Sequence, residues 1–370
     1  MPFFLFFFIM TSFYYLLPLE LIQFSIENAS TKTLLSLRSV SNELNILSLN
    51  ELRSRRLITK NLKRPIWQLK TLLVTDKWNL ITKVNFQNYQ HSINLAMFSG
   101  VDSLDISGNA HVDDLSSLAC LSFLNISLCS SVTDVGPLRC LHTLDMGWSN
   151  VTDVSLLGSL HTLKLPYCTK VTDVSALGNV SFLDLTGCSS VRDVSLLGGV
   201  ENLNLSRCRF ANISGLWSRP TRLHTLNLTD CRNINDVTEL GLLGLHTLVL
   251  FYAFFGTDVS PLSGLHTLCL SNCPYVSNVD SLANLHTLDL KNCQQVSNVN
   301  ALGRLHSLDI SFCCAVDNLS ALAGLHTLNI SSCKSVTDVS VLGELHTLKM
   351  TDCYPTTGTD CLGQVCKLFT

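Results

Sequence analysis

The chain has 370 residues, of which 46% are hydrophobic and only 14% charged, with 25 Lys/Arg against 28 Asp/Glu. That composition excludes a disordered chain and supplies a large core. Residues 1–100 hold 11 basic against 5 acidic side chains (net +6) and residues 101–370 hold 14 against 23 (net −9), so the two parts are different modules and the long acidic one offers no nucleic-acid groove.

Residues 1–14 lie in the hydrophobic stretch MPFFLFFFIMTSFYYLL. This leader has no basic residue before Lys32 and no small-x-small cleavage site, so it reads as a weak signal-like segment or as sequence upstream of a start at Met10. Pro18 and Glu20 close it short of a membrane span. Residues 15–60 do not repeat. Pro18 suits the first turn of a helix whose apolar face holds Leu17, Leu21 and Ile22, and Ser30 or Thr31 caps a second helix carrying Leu34, Leu35, Leu37 and Val40. Arg53, Arg55, Arg56, Lys60, Lys63 and Arg64 read as a solvated helix face, with contact to phosphate as the alternative. Residues 61–80 serve as a connector and as an N-terminal cap for the repeats that begin at Ile81.

From residue 81 to 370 one pattern recurs. Leu-His-x-Leu occurs nine times, and units begin at Ile81, Val101, Leu121, Leu141, Leu160, Val180, Val200, Leu223, Leu245, Leu265, Leu285, Leu305, Leu325 and Leu345, fourteen in all. Counting from the first Leu, Leu stands at slots 1, 4 and 6, Cys at 9, Val or Ile at 12, Asp or Asn at 14, Val at 15 and Leu at 18. A fixed period of this size announces a solenoid. Slots 3–7 alternate polar and apolar and form a short strand with one buried face. The Asp at slot 14 accepts backbone N–H groups at the start of a short 3₁₀ segment, and a full α-helix does not fit the remaining residues. The fold class is therefore an α/β solenoid, an arc with a parallel sheet on its concave side and short 3₁₀ segments and turns on its convex side. WSRPTR at 217–222 lengthens one unit into a small loop.

His142, His161, His224, His246, His266, His286, His306, His326 and His346 occupy slot 2, and Cys129, Cys168, Cys188, Cys208, Cys231, Cys273, Cys293, Cys313, Cys333 and Cys353 occupy slot 9. A strand and a turn separate the two slots, so each type stacks into a ladder instead of meeting at a metal, and neither metal nor cofactor is expected. One cysteine per unit reads as a small buried side chain, a role for a thiol that favours a reducing compartment. Ser, His and Asp occur only as periodic consensus residues, and P-loop, HExxH and GxGxxG motifs are absent, so no catalytic residue is assigned. Specificity falls to the outward strand positions Asp145, Lys164, Asp184, Asp289 and Asp309 at slot 5. To these are added Trp148, Tyr167 and Phe312 at slot 8, and Phe251 and Tyr252 in the unit LHTLVLFYAFFGTDVS. Aromatic anchors are typical binding hot spots; the alternative is repeat decay, with Phe254 and Phe255 filling the core.

The pattern LxxLxLxxCxxVxDVxxL over 81–370 resembles the leucine-rich repeat, with Cys at slot 9 in place of the usual Asn, which survives as Asn109. That resemblance implies a concave surface for binding protein. The segment Leu17-Pro18-x-Glu20-Leu21, then Leu34-Leu35-x-Leu37-Arg38-x-Val40-Ser41, then Leu44, resembles an F-box. It implies docking on a Skp1-type adaptor of a cullin–RING ubiquitin ligase through Leu17, Pro18, Leu21, Ile22, Leu34, Leu35 and Val40. Together the two resemblances imply a non-enzymatic, intracellular (cytoplasmic or nuclear) substrate receptor. It is monomeric on its own and off the membrane, holding a protein target on the repeat face. The alternative is a secreted or surface leucine-rich repeat protein used for adhesion or recognition.

Overall fold

A computed structural model describes residues 58–59, 83–85, 88, 95–98, 101–208, 213, 216, 221–231, 234 and 236–369. The hydrophobic leader, the connector and all of the F-box-like segment except Ile58 and Thr59 lie outside the described residues, as does 217–220 of the expected loop.

Among the described residues, sixteen strands form a single sheet in chain order, each hydrogen-bonded only to its sequence neighbours. Every pairing is parallel, and identical slots face one another: Thr287 lies opposite Ser307 and Asp289 opposite Asp309. The register survives changes in unit length, since Thr143 pairs with Thr162, Thr225 with Thr247 and Asn202 with Thr225. Extra residues are accommodated away from the strand. The fourteen units expected from sequence are joined by two more strands. Lys367–Phe369 extends the sheet beyond the last unit by pairing with Thr347–Lys349, and Ile58–Thr59 pairs with Lys83 and Val84. The C-terminal strand escaped the pattern because Val365 and Leu368 match slots 1 and 4 but the chain ends before slot 9.

One unit shows how a coil closes. In the coil starting at Leu285, the side chains of Leu285, Leu288, Leu290, Cys293, Val296, Val299 and Leu302 are all buried. Slot 4 turns inward from the strand while slots 3 and 5 stay half-exposed, as at Thr287, Leu288 and Asp289. The opposite side is a 3₁₀ segment of one turn, for example Ser175–Leu177 and Ser340–Leu342. It begins as the slot-14 residue dictates. Asp173 Oδ1 accepts the Ser175 N–H at 2.9 Å, Asp338 that of Ser340 at 2.9 Å, and Asn298 that of Asn300 at 3.0 Å. The hydrogen bond from the Ser175 backbone holds the Asp173 carboxyl below its ordinary value, as expected when a carboxylate is bonded in its charged form.

The cysteines do form a ladder, and the structure adds what it does. Each slot-9 thiol donates to the slot-6 carbonyl of the preceding coil: Cys188 to Leu165 at 3.0 Å, Cys293 to Leu270 at 3.0 Å, Cys333 to Ile310 at 3.0 Å. Nine of the ten are buried, and Cys353 in the last unit is half-buried. The coil starting at Leu141 substitutes Ser149, whose hydroxyl lies 3.3 Å from Cys168 Sγ, and the coil starting at Leu245 substitutes Ala253. Burial pushes the Cys208 thiol up to about 11 and those of Cys231, Cys273, Cys293 and Cys333 to about 12. Since the thiolate is the species that is oxidised or alkylated, burial makes these thiols poorly reactive in the folded chain. With the native chain, maleimide is expected to label Cys120, Cys140, Cys314, Cys361 and Cys366, the exposed thiols, and to reach the nine buried ones only in denaturant. Mass spectrometry of the labelled peptides checks this.

Candidate recognition face

Between slots 2 and 8 each coil displays the same atoms in the same order, so the sheet face consists of parallel rows running across the coils. One row stands where the chain enters the strand. His224, His246, His266, His286, His306, His326 and His346 stack with ring centroids 4.3–4.5 Å apart and planes within 13–21°, and His142 and His161 form a separate stacked pair. In eight of these nine, Nδ1 lies 3.0–3.4 Å from the hydroxyl of the following Thr.

The middle row is slot 5, and its Asp and Asn side chains accept hydrogen bonds from their own coil or from a neighbouring one. Asp184 Oδ1 accepts the Thr186 N–H at 2.9 Å, Asp289 the Lys291 N–H at 2.9 Å and Asp309 the Ser311 N–H at 2.8 Å. Asp145 Oδ1 takes the Ser127 hydroxyl at 2.7 Å. Asn204 and Asn227 do the same for the Ser206 and Thr229 N–H groups. This Asx arrangement turns the chain out of the strand. The Asp/Asn preference at slot 5 therefore has a local structural cause. The remaining carboxylate oxygens, and the half-exposed Lys164, face solvent or a neighbouring coil.

The third row is slot 8, and sequence reasoning missed its defining property. Leu128, Trp148, Tyr167, Arg207, Asp230, Tyr252, Asn272, Asn292, Phe312, Ser332 and Asp352 all have φ between 54° and 63°, and Gly108 and Gly187 share the left-handed conformation. The signal was present: Gly, Asn and Asp recur in this column, and those residues tolerate αL best. Bulky side chains do not, and each costs roughly 1–2 kcal/mol there relative to a right-handed backbone. Nevertheless Leu128, Trp148, Tyr252 and Phe312 occupy the slot and remain 44–54% exposed.

Trp148, Tyr167 and Arg207 form one connected group. The rings of Trp148 and Tyr167 stack at 4.5 Å, and Arg207 Nη1 donates to the Tyr167 hydroxyl at 2.6 Å across two coils. Gly187 makes this possible, because a Cβ there would lie 2.6 Å from the Tyr167 ring. Farther along, Phe251 meets Tyr252 edge to face at 4.6 Å, and the Lys291 ammonium sits 5.5 Å from the Phe312 ring centroid. Phe255 fills the core, whereas Phe254 is exposed. The structure thus brings Trp148, Tyr167, Tyr252 and Phe312 onto one row, and Phe251 beside it. The seven residues expected to contact an adaptor, Leu17 to Val40, lie outside the described residues.

Among the described residues, no group of three or more His, Cys, Asp or Glu side chains converges to hold a metal ion, and no helix is long and apolar enough to cross a membrane.

These coils, with their inward leucines and single parallel sheet, have the leucine-rich-repeat fold. Similar solved structures include an internalin from Listeria monocytogenes, 22% identical, covering 75% of this chain and 88% of its own with a TM-score of 0.54. The functional domain of InlJ from the same organism, which includes a cysteine ladder, is 20% identical and matches 76% of this chain and 65% of its own with a TM-score of 0.52. A leucine-rich repeat protein from Leptospira interrogans is 16% identical over 85% of this chain, with a TM-score of 0.40. No protein-family model matches the sequence, and no curated protein matches it.

The rows make the fold sensitive to pH at one edge and to side-chain size at the other. His266 and His326 sit below the ordinary 6.5, through desolvation by the packed rings and then repulsion from flanking imidazoles. A His with a depressed folded pKa is protonated first in the unfolded chain, so stability present above pH 6.5 is lost as pH falls through that value. Calorimetry is expected to show the melting temperature falling between pH 7.5 and 5.5, and falling less in His266→Gln/His326→Gln. At Gly187, where φ is +68°, Gly187→Ala is expected to cost about 1–2 kcal/mol in urea denaturation and to push Tyr167 off Arg207.

Proposed function

We propose that this chain is a non-catalytic recognition protein that binds a protein partner across the sheet face, with the slot-8 aromatics as anchors. The observation that carries this reading is the set of large apolar side chains held in the left-handed conformation and left exposed. Strain of this kind persists where function requires it, and the inference runs from the outlier to the role. Trp148 and Tyr167 are immobilised by stacking and by Arg207, so little side-chain entropy remains to be lost on binding, and buried aromatic and Arg residues dominate interface energies. Asp145, Lys164, Asp184, Asp289 and Asp309 supply a polar floor beside them, with Phe251, Tyr252 and Phe312 as further contacts.

The internalin likeness supports a surface or secreted recognition role in preference to a ubiquitin-ligase receptor. It is a likeness of fold, and the ligase reading rests on the F-box-like sequence motif alone. The two readings part on one measurement. A ligase receptor binds a purified Skp1-type adaptor and loses it in Leu17→Ala/Pro18→Ala; a surface recognition protein shows no adaptor binding with either chain.

A photo-crosslinking residue placed at Trp148 is expected to capture a protein partner, whereas the same residue at Leu156, exposed on the 3₁₀ side, captures none. Trp148→Ala is expected to weaken that complex by about 2 kcal/mol or more. Leu128→Asn separates strain from function: it is expected to raise stability by about 1 kcal/mol while weakening the complex. Equal capture at both positions would sink the proposal.

A further inference from the structure

The stacked histidines His224 to His346 have no part in the proposed recognition of a protein partner, and their geometry points to chemistry of its own. Wherever a Thr follows, the His Nδ1 faces that hydroxyl at 3.0–3.4 Å. That contact engages Nδ1 and leaves Nε2 as the nitrogen available to a ligand. A hydrogen bond at one imidazole nitrogen that orients the ring for ligation through the other is the arrangement found behind metal-bound histidines; the Thr hydroxyl can give or take that bond, so it orients the ring without choosing the tautomer. Four rungs, His266, His286, His306 and His326, line an open depression of about 510 Å³ together with Arg304 and Asn284.

We propose that adjacent rungs of this ladder bind a borderline divalent transition cation such as Zn²⁺ or Ni²⁺, each ion bridging the Nε2 atoms of two histidines in neighbouring coils. Zn–N bonds of 2.0–2.1 Å place two ligand nitrogens about 3.3 Å apart in a tetrahedral site and about 4.1 Å apart in a linear one. The rings stand 4.3–4.5 Å apart face to face, and most are exposed, so each ring has room to rotate out of the stack and aim its Nε2 lone pair at a shared ion. Water fills the remaining positions, within the depression. Two-ligand sites agree with the lack of a three-residue cluster among the described residues.

Charge favours a cation over an anion. A neutral imidazole is a ligand for zinc or nickel but a poor partner for phosphate or carboxylate. The other charged groups around the row are few. Arg304 lies on the rim of the depression, Lys367 acts on His326, Glu344 precedes His346 by two residues, and Glu201 beyond the His224 end is paired with Arg222 at 3.0 Å.

The test is calorimetric titration of the full chain with NiCl₂ at pH 7.5, comparing two variants that each retain four of the seven rungs. With His161→Gln added to both to remove the separate His142–His161 pair, His246→Gln/His286→Gln/His326→Gln leaves no two adjacent imidazoles, whereas His224→Gln/His246→Gln/His266→Gln leaves His286 to His346 contiguous. Exposed cysteines are the same in both, and matching melting curves confirm folding. The contiguous variant is expected to keep the wild-type affinity and the alternating one to lose at least about tenfold, because the second imidazole no longer binds intramolecularly. Binding is also expected to fall as pH drops to 5.5, where protons compete for Nε2. Equal affinity in the two variants overturns the proposal, as does the absence of nickel binding in the wild type. Uptake of inorganic phosphate at pH 5.5 by a chain that takes no nickel at pH 7.5 overturns it and assigns the row to anions.

Discussion

Everything in this fold depends on register between coils. A unit of about twenty residues has too few apolar groups to bury its own inner face and too few partners for its own backbone, so it is stable only against a neighbour in the same phase. The parallel ladder enforces that phase, and units of nineteen, twenty, twenty-two and twenty-three residues all keep it because length changes are pushed out of the strand. Once phase is kept, any residue that repeats in sequence must stack in space. The imidazole row, the thiol row and the Asp/Asn row are consequences of that single constraint.

Each ladder meets a different requirement. At slot 9 the backbone returns inward from the left-handed turn, and a carbonyl of the preceding coil faces the cavity; a thiol is small enough to be buried there and still donates to that carbonyl. At slot 5 a carboxylate or amide accepts the slot-7 N–H and sets up the turn. Slot 8 closes the turn, and here local preference and occupancy conflict. Gly187 and Asn292 satisfy the backbone, while Trp148, Tyr252 and Phe312 oppose it. In a chain whose other columns are locally consistent, that conflict is the ground for the proposed recognition role of these positions. The cost is distributed over coils that are stable through their neighbours, so individual strained turns are tolerated.

Much of this was legible in the residues. Leucines at slots 1, 4 and 6 announced the strand and its buried face, and Asp173 before Ser175 announced the 3₁₀ start. Asp289 and Asp309, expected as recognition groups, also engage the turn through an Asx bond to the backbone two residues on, a role the alternation alone did not reveal. The grouping of Trp148, Tyr167 and Arg207 was invisible, since the Tyr167–Arg207 contact spans forty residues and depends on the absent side chain of Gly187. The burial of the slot-9 cysteines was legible, but their carbonyl partners in the preceding coil were not.

By itself the sequence determined the solenoid, its period and the identity of the stacked columns, because periodic burial of leucine admits only one phase between coils. Tertiary structure alone decided which polar side chains were already engaged, which turns were strained and which distant residues touched. Those depend on backbone conformation at slot 8 and on contacts between coils, and neither is encoded in the spacing of residues along a single unit.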